Sequence, residues 1–259
     1  MLDINKIILG YNKNSMFYNI DTNMQIIEKQ TKPLQITLED IHNQLKEIKF
    51  EAFYQCTGGM NNKDWELENA RLIPFSLLYY YLFITQEKIP TPQLMVCEYT
   101  YRFCTQKKEK GGLYTLKEEY KEQGYSSCFF TIEALAARIC RAYNSFNREV
   151  ELGFRLLQEK NFSTRYSFQD DYYKGIDLGI MYNNQFLGVA CYQNNKRTND
   201  YKVLKETTRR SNYDKENIIS MAIDRNNHDT YGEFWAYSEN EFQRLKAKIR
   251  ERGGIFNEF

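Results

Sequence analysis

KGIDLGIMYNNQFLGVACYQNNKRTNDYKVLKETTRR, residues 174–210, is the stretch on which the fold reading turns. It reads as two strands joined by a tight turn and followed by a basic helix. Asn183-Asn184 suits a two-residue type I′ loop, because asparagine tolerates the positive φ that both positions need. The flanks are apolar, with the β-branched and aromatic residues that strands prefer. With a two-residue loop, Tyr182 faces Gln185, Ile180 faces Leu187 and Asp177 faces Ala190. Side chains alternate along a strand. Ile176, Leu178, Ile180, Leu187, Val189 and Cys191 therefore form the core side. Asp177, Gly179 and Met181 share the other side with Phe186, Gly188, Ala190, Tyr192, Asn194 and Lys196. An acid and a lysine then project from neighbouring strands on one side. A loop one residue longer would slip the register and bring Gln193 and Asn195 to that side instead.

This pattern, Asp177 on the first strand and Asn194-Asn195-Lys196 late on the second, resembles the PD-(D/E)XK nuclease superfamily, which has the restriction-endonuclease-like fold. The resemblance implies that Asp177 and a second acid hold a divalent metal, Mg²⁺ or Mn²⁺, and that Lys196 helps activate the attacking water. Asn194 departs from the pattern, since the family usually has Asp or Glu there. Some members move that acid to the following helix, which makes Glu206 a candidate ligand here. Many also use a glutamate on the helix before the hairpin, and Glu149 or Glu151 would serve. The resemblance spans Ser145 to Ile249.

The rest of the chain bounds this reading. At 259 residues it holds one large domain or two small ones. A hydrophobic content of 42% suffices for a core. The net charge of +1 excludes a grip on nucleic acid by the chain as a whole, so such a grip must come from a local patch. One patch qualifies: from Lys196 to Lys215, seven basic residues stand against three acids. On a helix capped by Asn199, Lys202, Lys205 and Arg209 fall on one stripe. With Arg197 and Arg210 they would hold a phosphate backbone, where charge gives affinity without reading sequence. The alternative for this stripe is an ordinary solvated helix face. The six cysteines form no CxxC pair, and with only His42 and His228 beside them a zinc site is not expected. They suit small buried groups in a reduced, cytoplasmic setting. The opening MLDINKIILG lacks the features of a leader peptide, and no apolar run is long enough to span a membrane. Walker, Rossmann and GxSxG signatures are absent from the sequence.

Along the chain, residues 1–36 are strand-like and polar. Thr37 and Asp40 are spaced as a capping box, opening a helix that ends before Gly58-Gly59. His42, near its start, reads as a bland helical histidine. LIPFSLLYYYLFI is the most apolar segment, and its three consecutive tyrosines point around a helix buried on several sides. Thr91-Pro92 opens the next helix, which carries through Cys104. Residues 107–112 form a polar, glycine-ended loop. Thr131 caps a helix that Asn144-Ser145 breaks. Ser145 caps its successor, in whose first turn Glu149 and Glu151 would be solvated acids if they hold no metal. A strand follows at Phe162–Phe168. After the basic helix come a strand at Asn217–Ile223, a turn at Asp229–Gly232, a strand at EFWAY and a final helix with a capping box at Ser238 and Glu241.

The expected class is α/β. Residues 129–259 would form the restriction-endonuclease-like mixed sheet flanked by helices, and residues 1–128 a mainly helical accessory domain with a short β-rich start. The expected activity is metal-dependent hydrolysis of phosphodiesters, with DNA ahead of RNA as substrate. A phage, plasmid or restriction-type defence setting follows by analogy, and a homodimer is compatible with it. The alternative is a catalytically inactive module of the same fold that binds nucleic acid or protein, and the missing acid at Asn194 is its support.

Overall fold

The computed structural model describes residues 34–49, 67, 70–166, 171, 175–193, 217–224 and 226–254. It is a mixed α/β protein whose sheets are open. Among the described residues, no helix is long and apolar enough to cross a membrane. The chain divides into two compact units. One comprises Met1–Ile36 and Asn43–Phe146, the other Thr37–His42 and Asn147–Phe259.

The first helix, α1 (Leu38–Glu47), opens on the expected capping box. The Thr37 N–H and hydroxyl both donate to the Asp40 carboxylate, and the Asp40 N–H donates to Thr37 Oγ1 at 3.2 Å. Ile41, Leu45 and Ile48 are buried. The helix ends at Glu47, well before Gly58-Gly59.

In the first unit, α2 (Phe75–Gln86) starts directly after Pro74, and Glu87 closes it in the left-handed conformation at φ 49°. Every residue from Ser76 to Phe83 is buried, so Tyr79, Tyr80 and Tyr81 do point into packed surroundings on several sides. Tyr79 packs against Tyr143 and Phe146, at centroid distances of 5.9 and 5.1 Å. The Tyr143 hydroxyl donates to Pro90 O at 2.6 Å. A buried phenol needs such a partner. Thr91 caps α3 (Pro92–Phe103), accepting from Leu94 N at 3.2 Å. Cys104 does not continue this helix. It opens a hairpin, β1 (Cys104–Lys107) with β2 (Leu113–Leu116). The polar run Lys107–Gly112 is the connection, with Gly111 and Gly112 at φ 68° and 81°. The short helix α4 (Glu118–Lys121) follows.

Asn144-Ser145 does not break the next helix. The helix α5 (Ile132–Leu157) runs unbroken for 26 residues, and the division between the units falls inside it. Ser145 bonds back instead, donating from Oγ to Ala142 O at 2.7 Å. The helix penalty of Asn and Ser is a few tenths of a kcal/mol each. Burial of Tyr143, Phe146 and Val150 on either side outweighs it, at ~1.5–3 kcal/mol per large apolar side chain.

The second unit is built on a four-stranded sheet in the order β3 (Phe162–Arg165), β4 (Leu178–Tyr182), β5 (Gln185–Gln193), β6 (Ile218–Ile223). The first three strands are antiparallel, and β6 runs parallel to β5. The β4–β5 hairpin has the expected register, with Tyr182 opposite Gln185 and Ile180 opposite Leu187. Asn183 and Asn184 take φ values of 49° and 63°. Leu178, Ile180, Leu187, Val189, Ile219, Met221 and Ile223 form one buried layer. Leu152 and Leu156 of α5 pack on it together with Phe242, Leu245 and Ile249 of α6 (Glu239–Gly254). Ser238 and Glu241 make the expected cap of α6. Asp229 is not in a turn. It lies in β7 (His228–Tyr231), which pairs with β8 (Phe234–Tyr237) around Gly232 at φ 61°. The expected element order therefore gains one strand. The basic helix expected at Asn199–Arg210 lies outside the described residues.

Candidate acidic site at the end of the hairpin

Pairing of β4 with β5 begins at Leu178 opposite Val189. Asp177, the residue before it, extends this pairing through both its backbone and its side chain. Its N–H donates to Val189 O at 2.9 Å. Its carboxylate accepts from the N–H of Cys191, two residues further along β5. The site acid thus sits where β4 starts and the far end of β5 passes.

Cys191 connects Asp177 to a second element. Burial pushes its thiol well above the ordinary value, and the Asp177 and Glu149 carboxylates push it further in the same direction. The Tyr237 hydroxyl and the Arg148 guanidinium act against them. Tyr237 is itself fully buried, and its hydroxyl donates to Met221 O at 3.3 Å. Its phenol is also held well above its usual range, by burial first and then by Cys191. Arg148 and Glu149 from α5, Asp177 before β4, Cys191 on β5 and Tyr237 on β8 therefore form one electrostatic group. Two of the acids singled out in the sequence, Asp177 and Glu149, both belong to it.

Glu149 is 6% exposed and lies in the middle of α5, so it is not a solvated first-turn acid. Glu151 is not one either, and it belongs to a different cluster. It is fully buried, with Oε1 at 3.2 Å from His42 Nε2 and 3.7 Å from Arg155 Nη1. Its Oε2 has no hydrogen-bond partner among the described residues. Arg155 reaches on to Tyr237 O at 2.7 Å and Glu239 Oε2 at 2.6 Å, with its guanidinium 4.2 Å from the Phe242 ring centre. His42 stacks on Tyr231 at 3.8 Å. Glu151 is therefore held by a histidine and an arginine, whereas Glu149 acts on the same thiol as Asp177.

Lys196, Glu206 and the proposed phosphate contacts Arg197, Lys202, Lys205, Arg209 and Arg210 lie outside the described residues, as does Asn194. Among the described residues, no group of three or more His, Cys, Asp or Glu side chains is placed to hold a metal ion. Two carboxylates, Asp177 and Glu149, remain as oxygen donors of the kind that suits Mg²⁺ or Mn²⁺. Such ions commonly take one or two protein carboxylates and complete their shell with water and substrate phosphate. The donor chemistry fits such an ion.

Reading the sequence missed His42, Arg148, Arg155, Cys191 and Tyr237 as members of these clusters. One signal was present. On an unbroken helix, Arg148, Glu151 and Arg155 fall on one stripe at three- and four-residue steps. That stripe lies beside the apolar positions Leu152 and Leu156, and charged residues there need partners to be buried.

Compared with known proteins, the chain matches no family model, no curated protein and no solved structure.

Proposed function

We propose that this protein is a metal-dependent nuclease that hydrolyses phosphodiester bonds of DNA or RNA, with its second unit taking the restriction-endonuclease-like fold. The observation that carries this reading is the Asp177 carboxylate held by the Cys191 N–H at the end of the hairpin, on the strand that leads toward Lys196, with buried Glu149 of α5 acting on the same Cys191 thiol. A mixed sheet with α5 and α6 packed on its buried layer, and with Asp177 at the end of its central hairpin, supports it further.

In this reading Asp177 and Glu149 supply the protein oxygens for Mg²⁺ or Mn²⁺. When bound, the ion supplies charge stabilisation on the phosphate and an acidified water. The backbone bond from Cys191 fixes the orientation of the Asp177 carboxylate before substrate arrives. The Arg148 guanidinium, on the same turn of α5 as Glu149, opposes the effect of the two acids on the Cys191 thiol. Lys196 orients the water and stabilises charge on the phosphoryl oxygens. The basic run from Arg197 to Arg210 holds the backbone of the nucleic acid.

A second reading, an inactive nucleic-acid- or protein-binding module of the same fold, is favoured by two features. Asn194 replaces the usual acid, and the Asp177 carboxylate is engaged in joining β4 to β5. Titration with Mn²⁺, followed by its paramagnetic resonance, separates the two readings. The nuclease reading expects one bound ion, lost in Asp177→Asn and weakened in Glu149→Gln. Unaltered far-ultraviolet circular dichroism in both variants would show that the fold is kept. No bound Mn²⁺, with nucleic acid still retained at low salt, would establish the binding module instead.

A further inference from the structure

A groove of about 620 Å³ runs between β6 and α6, lined among others by Tyr192, Ser220, Asp224, Glu241, Arg244 and Lys248. Its two acids are tied to backbone donors at one end. Glu241 accepts from Asp224 N at 2.9 Å and from Ser238 N at 2.8 Å, and Asp224 Oδ1 accepts from Asn226 N at 2.9 Å. Its two cations lie further along α6. Arg244 and Lys248 are four residues apart, so they stand one above the other on the same helix face. Both are exposed, and neither makes an ion pair among the described residues. The groove is thus acidic at the start of α6, where its carboxylates are engaged by backbone donors, and cationic further along, where Arg244 and Lys248 form no ion pair among the described residues.

The sheet register relates this cationic stretch to the acidic site. The Asp177 N–H bonds to Val189 O on β5, and Val189 pairs with Ile219 on β6, which lines the groove. Asp177 therefore lies about two strand spacings, roughly 10 Å, from the groove wall at Ile219. An arginine and a lysine on one wall suit phosphate, which arginine's planar fork engages in bidentate fashion and lysine as a point charge.

We propose that this groove holds the phosphodiester backbone of a nucleic-acid strand beside the bond cleaved at Asp177, with Arg244 and Lys248 as positioning residues. The proposal rests on the nuclease reading. It adds a phosphate site on the last helix to the basic run that follows the hairpin.

The test is binding of fluorescein-labelled single-stranded and duplex oligonucleotides by the full chain, in Ca²⁺, across a range of salt concentrations. The Arg244→Ala/Lys248→Ala double variant should lower the slope of log affinity against log salt by ~1.5, the loss of two phosphate contacts. Its KM for cleavage in Mn²⁺ should rise about tenfold or more at fixed salt, with kcat little changed. Arg244→Lys should keep most of the slope. Wild-type binding and cleavage with an unchanged slope in the double variant would overturn the groove assignment and leave the nuclease reading standing. Absence of both binding and cleavage in the wild type would overturn the two together. Retained binding of acidic peptides but not of oligonucleotides would assign the groove to a protein partner and overturn the proposal.

Discussion

The Asp177 carboxylate accepts a hydrogen bond from the backbone N–H of Cys191, across the open end of the β4–β5 hairpin. One residue therefore serves both the sheet and the acidic site, and substitutions there divide the two roles. Asn keeps an oxygen for the Cys191 N–H and removes the charge. Ala leaves that N–H without its partner. Urea unfolding should show Asp177→Ala less stable than Asp177→Asn by about 1 kcal/mol or more, the cost of leaving a backbone donor unmet. Equal stabilities would mean that the bond contributes nothing to the hairpin.

His42 and Glu151 are 109 residues apart in sequence and 3.2 Å apart in the fold. The glutamate is fully buried, and its other oxygen already lacks a hydrogen-bond partner among the described residues. Removing the histidine leaves Arg155 as the charged neighbour, at 3.7 Å from Oε1. His42→Ala should cost about 1–3 kcal/mol, through the unmet acceptor and the lost stacking on Tyr231. His42→Ala combined with Glu151→Gln should cost less than the sum of the two single changes, because the buried charge is then absent. A double-mutant cycle by urea unfolding measures this coupling directly.

How legible these features were in the sequence depended on range. Asn183-Asn184, Thr91-Pro92 and Ser238…Glu241 announced their structures because the chemistry of a turn or cap lies within four residues. The hairpin register followed from the turn, and with it the buried side of β4 and β5. The alternation does not reach back to Ile176, whose side chain lies against Gly188, on the side opposite Leu187 and Val189. Asn144-Ser145 misled because local preference is worth tenths of a kcal/mol, and the packed side chains around it decide otherwise. The strand Cys104–Lys107 could not be read from CTQK, which is short and polar and is defined by its pairing with Leu113–Leu116. His42 looked bland because its partner is on a distant helix. Of the acidic site, Asp177 and Glu149 were legible as candidates. Their shared neighbour Cys191 was visible only as a core residue of its strand.

Two buried thiols set an alkaline limit on stability. Burial pushes Cys104 and Cys140 up to about 12, from an ordinary value of 9.0. Well below pH 9 both thiols are protonated whether the chain is folded or not, and their contribution to stability is fully present. Between about 9 and 12 the unfolded chain loses these protons and the native state keeps them, so stability falls as pH rises. The expected slope is about 1.4 kcal/mol per pH unit for each thiol. Buried Tyr99 and Tyr237, raised in the same direction, act the same way above their ordinary range. Denaturant titrations from pH 8.5 upward should show this decline, and Cys140→Ala should flatten it.

Two glycines in the second unit are fixed by close approach. A Cβ at Gly188 would stand 2.7 Å from Ile176 Cγ1, and one at Gly253 would run into the ring of Tyr182. Gly188 lies opposite Gly179 in the β4–β5 pair, and Gly253 is in the last turn of α6. Gly188→Ala and Gly253→Ala should each cost about 1–3 kcal/mol, as overpacking does. Gly111→Asn, at a position with a left-handed φ of 68° and open space around it, should cost far less. Thermal unfolding of the three variants ranks them.

The central claim is that Asp177 belongs to a phosphodiester-cleaving site, and cleavage tests it most directly. Supercoiled DNA, linear DNA and a structured RNA would be incubated with the full chain in Mn²⁺, beside Asp177→Asn and Lys196→Ala. The account predicts cleavage of at least one substrate by the wild type, abolished by chelation and reduced at least about a hundredfold in both variants, a loss of roughly 2.7 kcal/mol of transition-state stabilisation. Cleavage that persists in Asp177→Asn at the wild-type rate would contradict it.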